Sequence, residues 1–164
     1  QSYRIQHNCN FISVMPTNLY GTNDNYNLES SHVLPALIRK FIEAKETGNN
    51  EVVVWGTGAP TREFLHVDDL SDACIFLMDI YDDSSIINIG WGLDISIKNL
   101  SSKISEAVGF NGLIKYDLTK KDGTLKKVLD TSKINDLGWK PKIPLDEGLI
   151  KTIDEYYKMF KMDT

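Results

Sequence analysis

One segment constrains the fold more than any other. In "SSHVLPALIRKFIEA", residues 30–44, the apolar side chains of Val33, Leu34, Leu37, Ile38, Phe41 and Ile42 recur at helical spacing and make one continuous face. Pro35 lacks an amide proton and is tolerated only in the first turn, so the helix has to begin close to His32. A few residues later "EVVVWG" (51–56) switches to a short β-branched run that stops at a glycine. A chain that alternates between these two periodicities must bury helix faces against a sheet, which makes it α/β or mixed α+β.

The alternation continues along the chain. "FISVMP" (11–16) reads as a buried strand and "TNLYGTNDNYN" as the polar loop that follows it. "REFLHV" (62–67) is extended, and Asp68 or Asp69 can cap the next helix, with Leu70, Ala73, Cys74 and Leu77 inward. "SIINIG" (85–90) is another strand, closed by "GWG". Ser96 can cap a helix that buries Ile97, Leu100, Ile104 and Val108 and ends at Gly109. "LIKYDL" is strand-like and "KKDGT" a turn. After Pro144 comes a last amphipathic helix, with Leu145, Leu149, Ile153, Tyr156 or Tyr157, and Phe160 on one face.

Composition removes several function classes. The formal net charge is −5 and the basic residues form no stripe, so a nucleic-acid partner is not expected. No apolar run reaches the length of a membrane span, and none is expected to enter a membrane. Cys9 and Cys74 have no metal-like spacing, and His7 and His66 have no partner at ligand spacing, so no metal site is proposed. The two cysteines read as buried thiols in a reducing, cytoplasmic setting. The opening "QSYRIQHNCN" reads like the tail of a helix running into a loop, which gives the expectation that the chain starts partway through a longer polypeptide.

Few residues stand out chemically. His32 sits at the mouth of a helix, where the partial positive charge of unpaired N–H groups disfavours imidazolium. A neutral imidazole there could accept a proton from a substrate and return one, as a general base and acid. An ordinary first-turn histidine that caps or packs is the competing reading. In "WGTGAPTREF" (55–64), Gly56, Gly58 and Pro60 make a tight turn flanked by Trp55 and Arg62. A guanidinium so placed can clasp a diphosphate while the indole offers a flat surface; a core tryptophan beside a solvated arginine is the alternative. Lys40, two helical turns beyond His32, is either a solvated lysine or a second phosphate contact. Asp122 is either a turn residue or a carboxylate facing a ligand hydroxyl or base. There is no G-x-G-x-x-G, so most of any dinucleotide site lies outside these residues.

Taken in order, "SVMPTNLYGTNDNY", "SSHVLPALIRKF", "VVVWGTGAPTREFLHVDDL" and "KKDGTLKKVLD" closely resemble the GDP-L-fucose synthases, members of the extended short-chain dehydrogenase/reductases. The resemblance covers nearly the whole chain and places it in the C-terminal half of that family. It implies the end of a Rossmann-type NAD(P)-binding sheet together with a smaller mixed α+β substrate-binding lobe, spread over 1–164. It implies epimerisation of GDP-4-keto-6-deoxy-D-mannose at C3 and C5 and reduction of its C4 ketone by NADPH. By position, His32 is the acid/base residue and also a cofactor neighbour. Pro16, Thr17, Asn18 and Leu19 match residues at the nicotinamide end of NADP(H). Lys40, Trp55, Arg62 and Asp122 match positions that bind the GDP-sugar.

The resemblance also marks what is missing. The family's Ser, Tyr-x-x-x-Lys and glycine-rich turn, and the cysteine that partners the histidine, belong to the N-terminal half. That half is therefore an implied partner, and a homodimer is implied for the intact enzyme. Trp91, in "GWG", departs from the small residue usual between those glycines. A non-catalytic GDP-sugar-binding module and another nucleotide-sugar epimerase or dehydratase remain the alternative functions.

Overall fold

The computed structural model describes residues 1–161, and its backbone follows the alternation of the sequence. Helix α1 (Ser2–His7) leads through a loop to β1 (Val14–Pro16) and β2 (Asn18–Tyr20). Next come α2 (Val33–Glu46), β3 (Glu51–Trp55), β4 (Thr61–His66) and α3 (Val67–Ile80). Then follow β5 (Ile87–Ile89), β6 (Asp94–Ser96), α4 (Ile97–Val108) and β7 (Leu113–Asp117). The chain closes with β8 (Lys126–Lys127), α5 (Ser132–Asp136) and α6 (Leu145–Lys161).

The strands form three small sheets. β1 lies parallel to β5 with Val14 opposite Ile87, and β3 lies parallel to β7 with Trp55 opposite Asp117. β4 pairs with β2 in parallel through Phe64–His66, and its first residues pair with β6 in antiparallel and β8 in parallel. Successive side chains of a strand point to opposite faces, and β4 uses this to divide two cores. Phe64 joins a core built from α2, β3, α4 and α6, including Leu34, Ile38, Phe41, Leu100, Ile104 and Leu149. Leu65, its neighbour, joins a second core with Ala73, Leu77, Ile87, Ile89 and Trp139. The α/β class expected from the sequence is therefore what forms.

Helix ends explain several boundaries. His32 is the N-cap of α2 in extended geometry, so Pro35 falls in the first turn as its chemistry requires. Ser96 Oγ accepts the Asn99 amide at the start of α4, and Gly109 ends that helix in the left-handed region. At α3 the cap is neither aspartate. His66 Nδ1 accepts the Asp68 amide, which leaves the proton on Nε2, and burial pushes the imidazole pKa down. Asp69 is instead buried and accepts the amides of Lys142 and Ile143, tying α3 to the segment before α6.

Other expectations need correction. "FISVMP" is a strand only over 14–16, and Phe11 and Met15 are 63% and 47% exposed. The stretch read as a polar loop contains β2, and Tyr20 and Tyr26 are buried in the first core. Tyr20 stands edge-on to His66 at 5.3 Å between ring centroids, and Tyr26 stands edge-on to Tyr156 at 4.8 Å. Both phenols are pushed up by burial. Val33 is exposed rather than part of the α2 core face, because it is turned toward an open cavity that it helps to line. The two- and three-residue strands β6 and β8 and the short α5 are too brief to carry a periodicity. Both cysteines are free and half-buried. No helix among the described residues is long and apolar enough to cross a membrane.

Candidate functional site

Three elements and one loop meet around a cavity of about 450 Å³, lined by residues that include Lys40, Trp55, Arg62 and Asp122. Lys40 comes from α2, Trp55 from the end of β3, Arg62 from β4, and Asp122 from the loop before β8. Leu37, Val54 and Ile97 give the cavity an apolar wall from the first core. Four side chains scattered over 83 positions of sequence are thus gathered by the tertiary fold.

Each is held differently. Trp55 ends β3 with its indole 63% exposed, so the reading of a core tryptophan fails. Lys40 Nζ donates to the Val53 carbonyl at 3.1 Å and lies 5.3 Å from the Trp55 ring centroid, and partial burial pushes its pKa down. Arg62 Nη1 donates to the carbonyls of Thr61 and Thr124 at 2.7 and 2.6 Å, which fixes the guanidinium plane. Its Nε and Nη2 make no hydrogen bond among the described residues. Asp122 is more than a local turn residue. Its carboxylate accepts the Thr57 amide at 2.9 Å and the Thr57 hydroxyl at 2.6 Å, locking the 120s loop to the tight turn after β3.

His32 and the segment from Pro16 to Leu19 stand apart from this group. His32 is exposed, its side chain makes no capping bond, and its neighbours Ser31 and Val33 line the cavity. Nearby, Ser31 Oγ and Asp24 Oδ2 are buried without a hydrogen-bond partner among the described residues. Pro16, Thr17, Asn18 and Leu19 do not line the cavity; they carry the chain from the β1–β5 sheet to the β2–β4 sheet. Thr17 and Asn18 are held by one acceptor, the Glu63 carbonyl, at 3.3 and 2.7 Å.

Glu63 is the residue the sequence reading missed. It is fully buried, and its carboxylate accepts the amide of Gly92 at 2.7 Å and that of Leu129 at 2.8 Å. A side chain at Gly90 would collide with Glu63 Oε1, so the glycine permits the close approach. Glu63 therefore joins the 17–18 segment, the "GWG" loop and the chain beyond β8, directly beside Arg62. Trp91 itself packs, partly buried, against the second core. The available signal was an acidic residue directly before the apolar pair Phe64 and Leu65 of a strand.

The parallel strands β1 and β5 both end beside this junction, at Pro16 and Ile89. In open α/β sheets, ligands bind beyond the carboxyl ends of parallel strands. The described residues contain no glycine-rich diphosphate turn, so they fit only one end of a dinucleotide. Among them, no group of three or more His, Cys, Asp or Glu side chains converges on one point.

The overall fold agrees with that of known proteins. The profile of the NAD dependent epimerase/dehydratase family matches residues 1–90, and the chain belongs to that family. Within it, the chain is similar to several proteins named GDP-L-fucose synthase, and also to a GDP-mannoheptose C4 reductase from Campylobacter jejuni, at 40% identity over 94% of this chain and 52% of that one with a TM-score of 0.82. It is 58% identical over 156 residues to the probable GDP-L-fucose synthase 1 of Oryza sativa subsp. japonica, covering 95% of this chain and 48% of that protein. It is 57% identical over 158 residues to GDP-L-fucose synthase 1 of Arabidopsis thaliana, covering 96% of this chain and 49% of that one. A GDP-L-fucose synthetase structure from Naegleria fowleri, also solved bound to NADP, superposes with a TM-score of 0.90 at 29% identity. That match covers 98% of this chain and 51% of the Naegleria chain. The chain spans about half the length of the relatives it matches.

Proposed function

We propose that the chain is the substrate-binding, C-terminal part of a GDP-L-fucose synthase. The intact enzyme converts GDP-4-keto-6-deoxy-D-mannose to GDP-L-fucose by 3,5-epimerisation followed by NADPH-dependent reduction of the C4 ketone. The observation that carries the reading is the convergence of Lys40, Trp55, Arg62 and Asp122 on one cavity. Two cations, one of them a fixed guanidinium fork, suit a diphosphate, and the apolar wall suits the rest of a nucleotide sugar.

His32, at the edge of the same cavity, is the acid/base residue of this reading. A ketone at C4 acidifies the protons at C3 and C5 by stabilising the enolate. An imidazole at a helix N-terminus can take such a proton and deliver one back. Pro16, Thr17, Asn18 and Leu19, together with His32, border the nicotinamide end of NADP(H), whose chemistry is hydride donation. The position of Pro16 to Leu19 at and just beyond the end of β1, with Thr17 and Asn18 pinned to the Glu63 carbonyl, supports that role. The second core, with β1 and β5, is then the last part of the cofactor-binding sheet, and the first core is the substrate lobe.

The relatives' remaining half supplies the glycine-rich turn and hydride-transfer residues in this reading, and the intact enzyme is a homodimer. Two free cysteines support a cytoplasmic protein. The test is calorimetric. GDP binds residues 1–164, Arg62→Met weakens that binding by about tenfold, and the chain alone shows no turnover. Absence of GDP binding, or full epimerase-reductase activity from residues 1–164 alone, defeats the reading. In the polypeptide that includes the upstream half, His32→Asn abolishes solvent deuterium uptake at C3 and C5 while GDP still binds.

A further inference from the structure

Lys120 belongs to no motif role assigned above, yet it is placed with care. Asp117, the residue opposite Trp55 in the β3–β7 pair, folds the following loop back on itself. Its Oδ1 accepts the Thr119 amide at 3.0 Å and the Thr119 hydroxyl at 2.6 Å, and its carbonyl accepts the Lys120 amide at 3.2 Å. Those Thr119 bonds hold the Asp117 carboxyl below its usual range. The turn brings Lys120 Nζ to 5.3 Å from the Trp55 ring centroid, the same distance as Lys40 Nζ. Lys40 arrives from α2 and lines the cavity, and Lys120 comes from the turn after β7, just before the lining residues Lys121 and Asp122, so one exposed indole has two ammonium groups within cation–π range. The Lys120 ammonium makes no hydrogen bond or close ion pair among the described residues; its charge acts on the Asp117 carboxylate only at longer range.

Like charges gathered on one ring repel, and the aromatic quadrupole offsets only part of that repulsion. An anion between them removes it. A purine lying flat on an indole face that an ammonium group occupies has to displace that group. We infer that Trp55 serves as a cation–π platform presenting Lys40 and Lys120 to the ligand's diphosphate rather than as a stacking surface for its base, and that Lys120 is an anion-binding residue of the site. The inference rests on the reading of this cavity as a GDP-sugar site and specifies how the diphosphate is held there.

The experiment is titration calorimetry of residues 1–164 with GDP, inorganic pyrophosphate and guanosine at low and high salt. Trp55 and Lys120 are exposed, so Trp55→Leu, Trp55→Phe and Lys120→Met should leave the circular dichroism spectrum unchanged. Trp55→Leu and Lys120→Met each weaken both GDP and pyrophosphate by about fivefold. Trp55→Phe weakens them less, and Lys120→Met flattens the salt dependence. Unchanged pyrophosphate affinity in Lys120→Met overturns the inference. So does a Trp55→Leu variant that loses guanosine and GDP but keeps pyrophosphate, which is the signature of base stacking. If the unmodified chain binds pyrophosphate but not GDP, the GDP-sugar reading fails instead; if it binds neither, both fail.

Discussion

Glu63→Gln is the perturbation that most sharply tests how the site is assembled. The carboxylate is fully buried and both of its oxygens accept backbone amides, Gly92 at 2.7 Å and Leu129 at 2.8 Å. Glutamine keeps the shape but offers one oxygen. Its NH₂ group must face one of the two amides, donor against donor. The loss combines a charge-assisted hydrogen bond with a stranded buried N–H, offset in part because a neutral amide is easier to bury. That comes to about 3 kcal/mol. For a domain of this size each kcal/mol moves the melting temperature by about 2–4 °C, so the expected drop is about 6–12 °C. Thermal melts followed by circular dichroism, with denaturant midpoints as a second measure, read it directly. Gly90→Ala supplies an internal check, because the new methyl collides with Glu63 Oε1. In a Glu63→Ala background that collision disappears, so the two substitutions must be non-additive. A shift below about 2 °C for Glu63→Gln, or simple additivity of the pair, refutes the account of Glu63 as the junction's acceptor.

His66 links stability to pH. Burial lowers its folded pKa below the unfolded value of 6.5, so its contribution is complete above about that pH and is lost as pH falls through the folded pKa. Asp68, Asp69 and Glu147 act against that shift and Lys151 with it. Denaturant midpoints should therefore decline as pH falls below 6.5, and His66→Asn, which keeps an acceptor for the Asp68 amide, should flatten the decline; an equal slope in both proteins excludes His66 as its source. Lys45 Nζ reaches across from α2 to the Val108 carbonyl at the end of α4, 2.7 Å away. Lys45→Met should cost about 1 kcal/mol, seen as a melting temperature about 2–4 °C lower, and an unchanged melt shows that this bond contributes nothing.

The regular elements were legible because their signals are local. The faces of α2, α4 and α6 followed from spacing except at their ends, where Val33 and Phe160 are exposed; Pro35 set the start of α2, and Ser96 and Gly109 bounded α4. The α3 cap was misassigned because an imidazole accepting through Nδ1 is a less common cap than aspartate, and only burial reveals that His66 is held neutral. β2 was hidden inside a segment rich in Asn and Gly. What keeps it extended is pairing with β4, and its sequence alone does not require that.

Site residues divide along the same line. His32, Lys40, Trp55, Arg62 and Asp122 could be named from local chemistry and from resemblance, since each sits in a short pattern of its own. Their convergence on one cavity depended on the strand register and helix packing that place α2, β3, β4 and the 120s loop side by side. Glu63 and Lys120 lay beyond reach for a physical reason. A buried carboxylate is defined by the amides that approach it, and a cation–π contact by the ring it meets. Those partners are 29 and 66 residues away from Glu63 and 65 from Lys120. By itself the sequence determined the alternation of helix and strand and the types of side chain available for chemistry. Tertiary structure alone decided which of them share a cavity and which polar groups are shielded from water, because both depend on contacts between segments distant along the chain.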